Sequence, residues 1–237
     1  MIGVLVPAHD EARRIPDCLA ALRAAARHPD LGGEAVCIMV ALDACSDGTA
    51  QACDAAGVAT CELQARNVGE ARAAAAAGLL QQGARWLAST DADSIVPADW
   101  LAVQLRTRHE VFCGLVDLPD GAGAEWQLRD RFRAGERWDE GHGRIHGANL
   151  GVCAAAYRRV GGFAALSCHE DVDLVRRLQR TGAAVRWSAE ACVVTSSRRI
   201  GRAPVGFATH LRHLDASRGV MDIDAGSVVP GPCPMLA

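Results

Sequence analysis

The chain has 237 residues, half of them hydrophobic, and a formal net charge of −3. That length supplies one sizeable core. The charge balance and an aromatic content of 4% exclude the basic, base-stacking surface of a nucleic-acid binder.

Every basic side chain other than histidine is arginine. This rules out a P-loop lysine, a Schiff-base lysine and a Ser-x-x-Lys nucleophile. The 10 cysteines form no Cys-x-x-Cys pair, so a zinc knuckle is not expected. Most sit in apolar runs as small core side chains. No apolar run approaches a membrane span, and the first residues read as a core strand rather than a leader. The expectation is a cytoplasmic protein with reduced thiols.

Residues 2–6 form a short apolar strand that Pro7 ends, followed by Ala8-His9-Asp10-Glu11. A helix starts around Pro16, with Leu19, Leu22 and Ala26 on one face. Residues 30–33 make a turn. Residues 35–42 are a continuous apolar run, the mark of a strand buried on both faces, and end in the polar stretch 43–49. A helix to Ala56, a strand over 58–63, a loop over 66–69 and an alanine-rich helix to about Gln82 follow. The next apolar run, from Trp86, leads into Thr90-Asp91-Ala92-Asp93. Further on, the pattern gives a helix over 97–108, a strand over 111–118, a charged helix and loop over 121–143 and a strand over 146–152. A short helix closes at Gly161, a second opens at His169-Glu170-Asp171, and a last strand spans 185–195. A basic stretch over 198–218 contains a helix from about Pro204, and residues 221–237 are an irregular tail beyond a 1–220 domain. Alternating strands and helices with short connections predict an α/β fold, a parallel sheet flanked by helices. Ligands bind such sheets beyond the carboxyl ends of the strands. The clusters at 9–11, 43–47 and 91–93 all follow strand ends, so they converge on one edge.

Asp91 and Asp93 are the chemical centre of the pattern. If the strand runs through them, both carboxylates point the same way and repel unless a positive charge lies between them. Oxygen ligands at that spacing suit Mg2+ or Mn2+ with open positions for phosphate oxygens. The plainer alternative is a polar strand exit with Asp93 capping the next helix. Asp43 can accept hydrogen bonds from a nucleobase or cap a helix, although Ser46 and Asp47 are better placed to cap. Glu170, Asp171 and Asp173 suit a helix N-terminus, and Asp171 is also the candidate general base. Arg66, Arg72 and the Arg198/Arg199/Arg202 cluster are candidate diphosphate partners or ordinary solvated surface. His146 and Asn149 flank a glycine-containing stretch and either bind a ligand or satisfy backbone groups. His210 and His213 share a helix face, as a metal ligand or as surface.

Taken in order, Val6-Pro7-Ala8-His9-Asp10-Glu11, residues 43–49, Asn67-Val68-Gly69, Thr90-Asp91-Ala92-Asp93 and His169-Glu170-Asp171 resemble the family 2 glycosyltransferases of GT-A fold. The likeness spans roughly residues 2–200. It implies a single GT-A domain with a Rossmann-like, mostly parallel sheet. It also implies transfer of a sugar from a UDP- or GDP-sugar to an acceptor hydroxyl, with inversion and with Mn2+ or Mg2+ bound. Carried over, Pro7, His9, Glu11, Asp43, Asn67, Arg72 and Asp91 would contact the donor nucleotide. Asp93 and Asp91 would hold the metal, with His210 as a further candidate ligand. Asp171 would be the base beside Glu170, and His146 and Asn149 would face the acceptor. Asp10 stands where many members have asparagine, and Cys45 where a serine is usual. A nucleotidyltransferase that makes nucleotide sugars is the rival enzyme class, but the stretch after the first strand lacks its glycine-rich phosphate loop. A degenerate, non-catalytic nucleotide binder is the other rival, and the intact aspartates at 91, 93 and 171 argue against it.

Overall fold

The structure, a computed structural model, describes residues 1–201 and 206–216. The expected tail over 221–237 and the start of the last helix near Pro204 lie outside the described residues.

The first half is a repeated strand-helix unit. Strands β1 (Ile2–Ala8), β2 (Val36–Asp43), β3 (Ala59–Leu63) and β4 (Trp86–Ser89) alternate with helices α1 (Ile15–Ala26), α2 (Thr49–Ala56) and α3 (Val68–Gln81). The second half adds β5 (Ser94–Ile95), α4 (Trp100–Arg106), β6 (Val111–Asp117), α5 (Ala124–Ala134), β7 (Leu150–Cys153), α6 (Ala154–Arg159), α7 (Glu170–Arg180), β8 (Val185–Thr195) and α8 (Phe207–Ala216). All the strands form one sheet in the order β3-β2-β1-β4-β7-β6-β8-β5. Strands β3, β2, β1 and β4 run parallel, as do β6 and β8, whereas β7 and β5 are antiparallel to their neighbours.

The alternation of side chains along β1 explains why helices cover both faces. Ile2, Val4 and Val6 join one core with Ile15, Leu19 and Leu22 of α1 and with Trp100 of α4. Leu5 joins the other, with Ala71, Ala75 and Leu79 of α3 and Leu174 and Leu178 of α7. Alanines let α3 lie close to the sheet, and a Cβ on Gly3 would come within 3.1 Å of Leu79.

Three sequence expectations shift. β1 continues through Pro7 to Ala8. It can do so because β4 stops opposite Leu5, so on that side the imino nitrogen interrupts no ladder. β4 likewise ends before the aspartates, and Asp91 and Asp93 sit in a turn closed by Ser94 N–H donating to the Asp91 carbonyl at 3.1 Å. The predicted strand over 146–152 begins only at Leu150, since Gly147–Asn149 form a 3-10 turn. The convergence of 9–11, 43–47 and 91–93 holds, because β1, β2 and β4 are parallel and all three stretches leave their carboxyl ends.

Candidate active site

Above that edge lies a cleft of about 810 Å³, closed on its far side by the start of α7 and by α8. Its walls include Pro7, His9, Glu11, Asp43, Asn67, Arg72, Asp91, Asp93, His146, Glu170, Asp171 and His210. Asn149 does not reach it.

Arg72 is the hub. Its guanidinium is only 3% exposed and donates to Glu170 Oε1 at 2.9 Å, Asp91 Oδ1 at 2.6 Å, the Gly147 carbonyl at 3.3 Å and Ser89 Oγ. Burial alone works against its charge. The carboxylates of Asp91, Glu170 and Asp171 outweigh that and hold it firmly protonated. Burial pushes the Glu170 carboxyl up from its ordinary value, and Arg72 opposes the shift. Glu170 is 4% exposed and its carboxylate is turned to Arg72. Asp171, the next residue, is half-buried: Oδ2 accepts from Gly147 N–H at 2.6 Å and Oδ1 from Val172 N–H at 2.8 Å.

Gly147 makes this arrangement possible. A Cβ there would lie 2.5 Å from Arg72 Nη2. Gly147→Ala is therefore expected to lower stability by about 1–3 kcal/mol through overpacking, read by urea denaturation, and to reduce turnover with it. A variant as stable as the wild type would show that Arg72 can shift freely.

Asp93 lies on the other side of the turn, its side chain 6% exposed. Ser196 Oγ donates to its Oδ2 at 2.6 Å, and Arg198 Nη2 is 3.1 Å from the same oxygen. Burial raises its carboxyl above the ordinary value, and Arg198 opposes the rise. Arg198 also pairs with Glu11, which is 5% exposed. The positive partners of the two aspartates are thus arginines, one on each. Among the described residues no three His, Cys, Asp or Glu side chains converge as a metal cage. His210 lines the cleft but does not complete one. Two carboxylate donors fit a hard cation that takes its remaining ligands from phosphate and water.

On the nucleotide side, Asp43 neither caps a helix nor points freely into the cleft. Its Oδ1 accepts from Ala65 and Arg66 N–H, each at 2.8 Å, and Oδ2 from Asn67 N–H at 2.7 Å. It orders the loop before α3, and the capping falls to Asp47, which accepts from Thr49 N–H at 3.0 Å. His9 Nδ1–H donates to the Asp43 carbonyl at 2.6 Å. Asp10 has φ +53° and accepts from Ser46 N–H at 2.6 Å. That bond, with others to Ser46 and Asp47, draws its carboxyl below the usual range.

His146 and Asn149 part company. His146 is half-buried in the cleft wall against the Phe207 ring of α8, 6.4 Å between centroids, and burial pushes its imidazole down to about 4. It is neutral at working pH. Asn149 is fully buried. β8 carries extra residues opposite the Gly114–Val116 step of β6. Asn149 Nδ2 stitches that irregularity by donating to the Leu115 and Ala191 carbonyls at 2.8 and 3.0 Å. Its Oδ1 accepts from Trp100 Nε1 at 2.9 Å. The acceptor assignment of Asn149 is therefore corrected to a core role: an irregular pair of strands leaves carbonyls that a buried amide satisfies.

Residues 3–161 match the family described as glycosyl transferase family 2. The chain belongs to this family. Solved structures share the glycosyltransferase fold. S. aureus TarS 1–349 in complex with UDP-GlcNAc superposes with a TM-score of 0.65 at 13% identity, covering 94% of this chain and 68% of that one. The mannosyltransferase PcManGT from Pyrobaculum calidifontis, with GDP-Man and Mn2+, gives 0.61 at 18%, covering 95% and 65%. Glucosyl-3-phosphoglycerate synthase from Mycobacterium tuberculosis, with Mn2+, UDP and glucosyl-3-phosphoglycerate, gives 0.55 at 15%, covering 79% and 68%. This transferase chain spans about two thirds of their lengths. No protein among curated sequences matches it. Among the described residues no helix of this glycosyltransferase is long and apolar enough to cross a membrane.

Sequence reasoning left Arg198 as one of several arginines without a firm role. The signal lay in its place, three residues past the end of β8, which runs parallel to β6.

Proposed function

We propose that this glycosyltransferase moves a sugar from a UDP- or GDP-sugar to an acceptor hydroxyl, with inversion at the anomeric carbon and with Mn2+ or Mg2+ as cofactor. The observation that carries the reading is the pairing, through Arg72, of Asp91 with the Glu170-Asp171 stretch in one cleft. It sets a phosphate-side carboxylate and a candidate base on either side of one buried cation. The nucleotide-sugar complexes of TarS and PcManGT support the donor class.

The nucleoside lies along Pro7, His9 and the loop that Asp43 holds, with Asn67 and Glu11 beside it. The diphosphate lies by Asp91 and Asp93, which would hold the cation. When bound, that cation supplies Lewis-acid neutralisation of the departing diphosphate. The Asp171 carboxylate takes the proton of the acceptor hydroxyl as its oxygen bonds to the anomeric carbon. The bond from that carbon to the β-phosphate oxygen breaks, and nucleoside diphosphate leaves. Neutral His146 lines the acceptor side, where it can donate or accept without adding charge. The cysteines of the described residues are free thiols, which supports a cytoplasmic setting.

The test is release of nucleoside diphosphate from a panel of UDP- and GDP-sugars, with and without Mn2+. Calorimetry should show nucleoside diphosphate binding strengthened by Mn2+, and Asp93→Ala should lose that gain. A gain unchanged in Asp93→Ala would assign the metal elsewhere, and a panel with no turnover would overturn the transferase chemistry.

A further inference from the structure

We propose that Arg198 is an exchangeable counter-ion that keeps the Asp93 carboxylate closed to a divalent cation until a diphosphate arrives. The inference rests on the reading of Asp93 as a cation ligand and adds a device that makes cation and donor bind together.

The geometry is specific. One guanidinium bridges two buried carboxylates from distant parts of the chain: Nη1 pairs with Glu11 Oε1, and Nη2 lies 3.1 Å from Asp93 Oδ2. Ser196, two residues earlier, donates to the same Asp93 oxygen at 2.6 Å. Glu11 and Asp93 are 5% and 6% exposed, too buried for water to neutralise them. Arginine does so permanently, since its charge does not titrate in the working range.

A divalent cation competes for the Asp93 carboxylate with Arg198 and Ser196, which already hold its Oδ2. It also brings two positive charges beside a guanidinium in a poorly screened pocket, so the two cations exclude each other. Alone, a metal ion must displace the guanidinium from Asp93 and leave that half of the fork without an anion, with Glu11 still holding the other. A diphosphate removes both obstacles: its oxygens complete the metal shell and offer the arginine fork a replacement anion. The exchange demands little of the fold, because Ser196 to Arg198 follow the end of β8 and belong to no strand or helix. By contrast Asp91 is held by Arg72, whose other bonds to Glu170, Ser89 and Gly147 fix it in the core. Arg198 is thus the cation free to leave, and Arg72 the one that stays.

The experiment is a titration of the full chain with MnCl2 alone, free Mn2+ being read by electron paramagnetic resonance. Arg198→Met should bind Mn2+ without nucleotide at least tenfold more tightly than the wild type. Arg198→Lys, which keeps the charge but cannot bridge both carboxylates, should fall between them and carries the comparison if the methionine variant does not fold. Adding Asp93→Asn to Arg198→Met should abolish the gain. No gain in either Arg198 variant, or a gain that survives Asp93→Asn, overturns the counter-ion role. If Mn2+ still strengthens nucleoside diphosphate binding in the wild type while no gain appears, only this inference fails. If that strengthening is also absent, the metal reading fails and takes the inference with it.

Discussion

Asp171→Asn is expected to lower sugar transfer by at least about a hundredfold while nucleoside diphosphate binds as to the wild type. The carboxylate sits at the start of α7 and is steadied by two backbone N–H groups, from Gly147 at 2.6 Å and Val172 at 2.8 Å. Those bonds fix its direction and leave further lone pairs for the cleft, since a carboxylate accepts about four hydrogen bonds. Asparagine keeps the shape and one acceptor oxygen but cannot take a proton. The loss should therefore fall on kcat, marking an interaction made in the transition state. Kinetics of transfer and calorimetry with nucleoside diphosphate separate the two effects. Near-normal transfer in Asp171→Asn would move the base elsewhere. Lost nucleotide binding would make Asp171 structural. Glu170 is a poor substitute, because its carboxylate is turned away into Arg72.

The elements were legible because the physics that makes them is local. Apolar runs of strand length, alanine-rich helices and a glycine or proline at most boundaries place β1 to β4 and α1 to α3 within a few residues. The edge at which the polar clusters meet follows from parallel strands alone. What could not be read was direction. Asp43 follows a buried strand as expected, yet its carboxylate is used by the amides of residues 65–67, a contact that depends on how β3 returns beside β2. Asn149 sits between glycines as a binding residue would. Its environment, however, is set by the irregular register of β6 and β8, which no periodicity announces. Arg198 reaches Glu11 across most of the sequence. Its place just past β8 puts it at the right edge, but which carboxylates it meets there is decided by the order of the strands in the sheet. Arg72 reads as a candidate diphosphate partner on an alanine-rich helix, and only the packing of α3 under Gly147 reveals it as buried.

Arg72→Met is expected to lower the free energy of unfolding by about 3–5 kcal/mol, the usual result of removing one partner from a buried ion pair, and to abolish turnover. Arg72 is 3% exposed and bonds Asp91, Glu170, Ser89 and Gly147. Methionine fills much of the volume but leaves the Glu170 carboxylate buried without a counter-charge. Burial already raises that carboxyl above 4.5, and Arg72 is what holds the rise in check. In the variant the folded-state value climbs further above the unfolded one. A carboxyl raised in this way is compatible with folding while protonated and opposes it once ionised, so the deficit should grow as pH rises from about 4.5. Urea denaturation at pH 5 and pH 7.5 should show the smaller loss at the lower pH. Adding Glu170→Gln removes the stranded charge, so the double variant should be more stable than Arg72→Met alone, by an amount that reports the coupling of the pair. It should remain inactive, because Asp91 has lost its buried partner. A single variant within about 1 kcal/mol of the wild type, the worth of an exposed ion pair, would show that Arg72 is an ordinary surface cation after all.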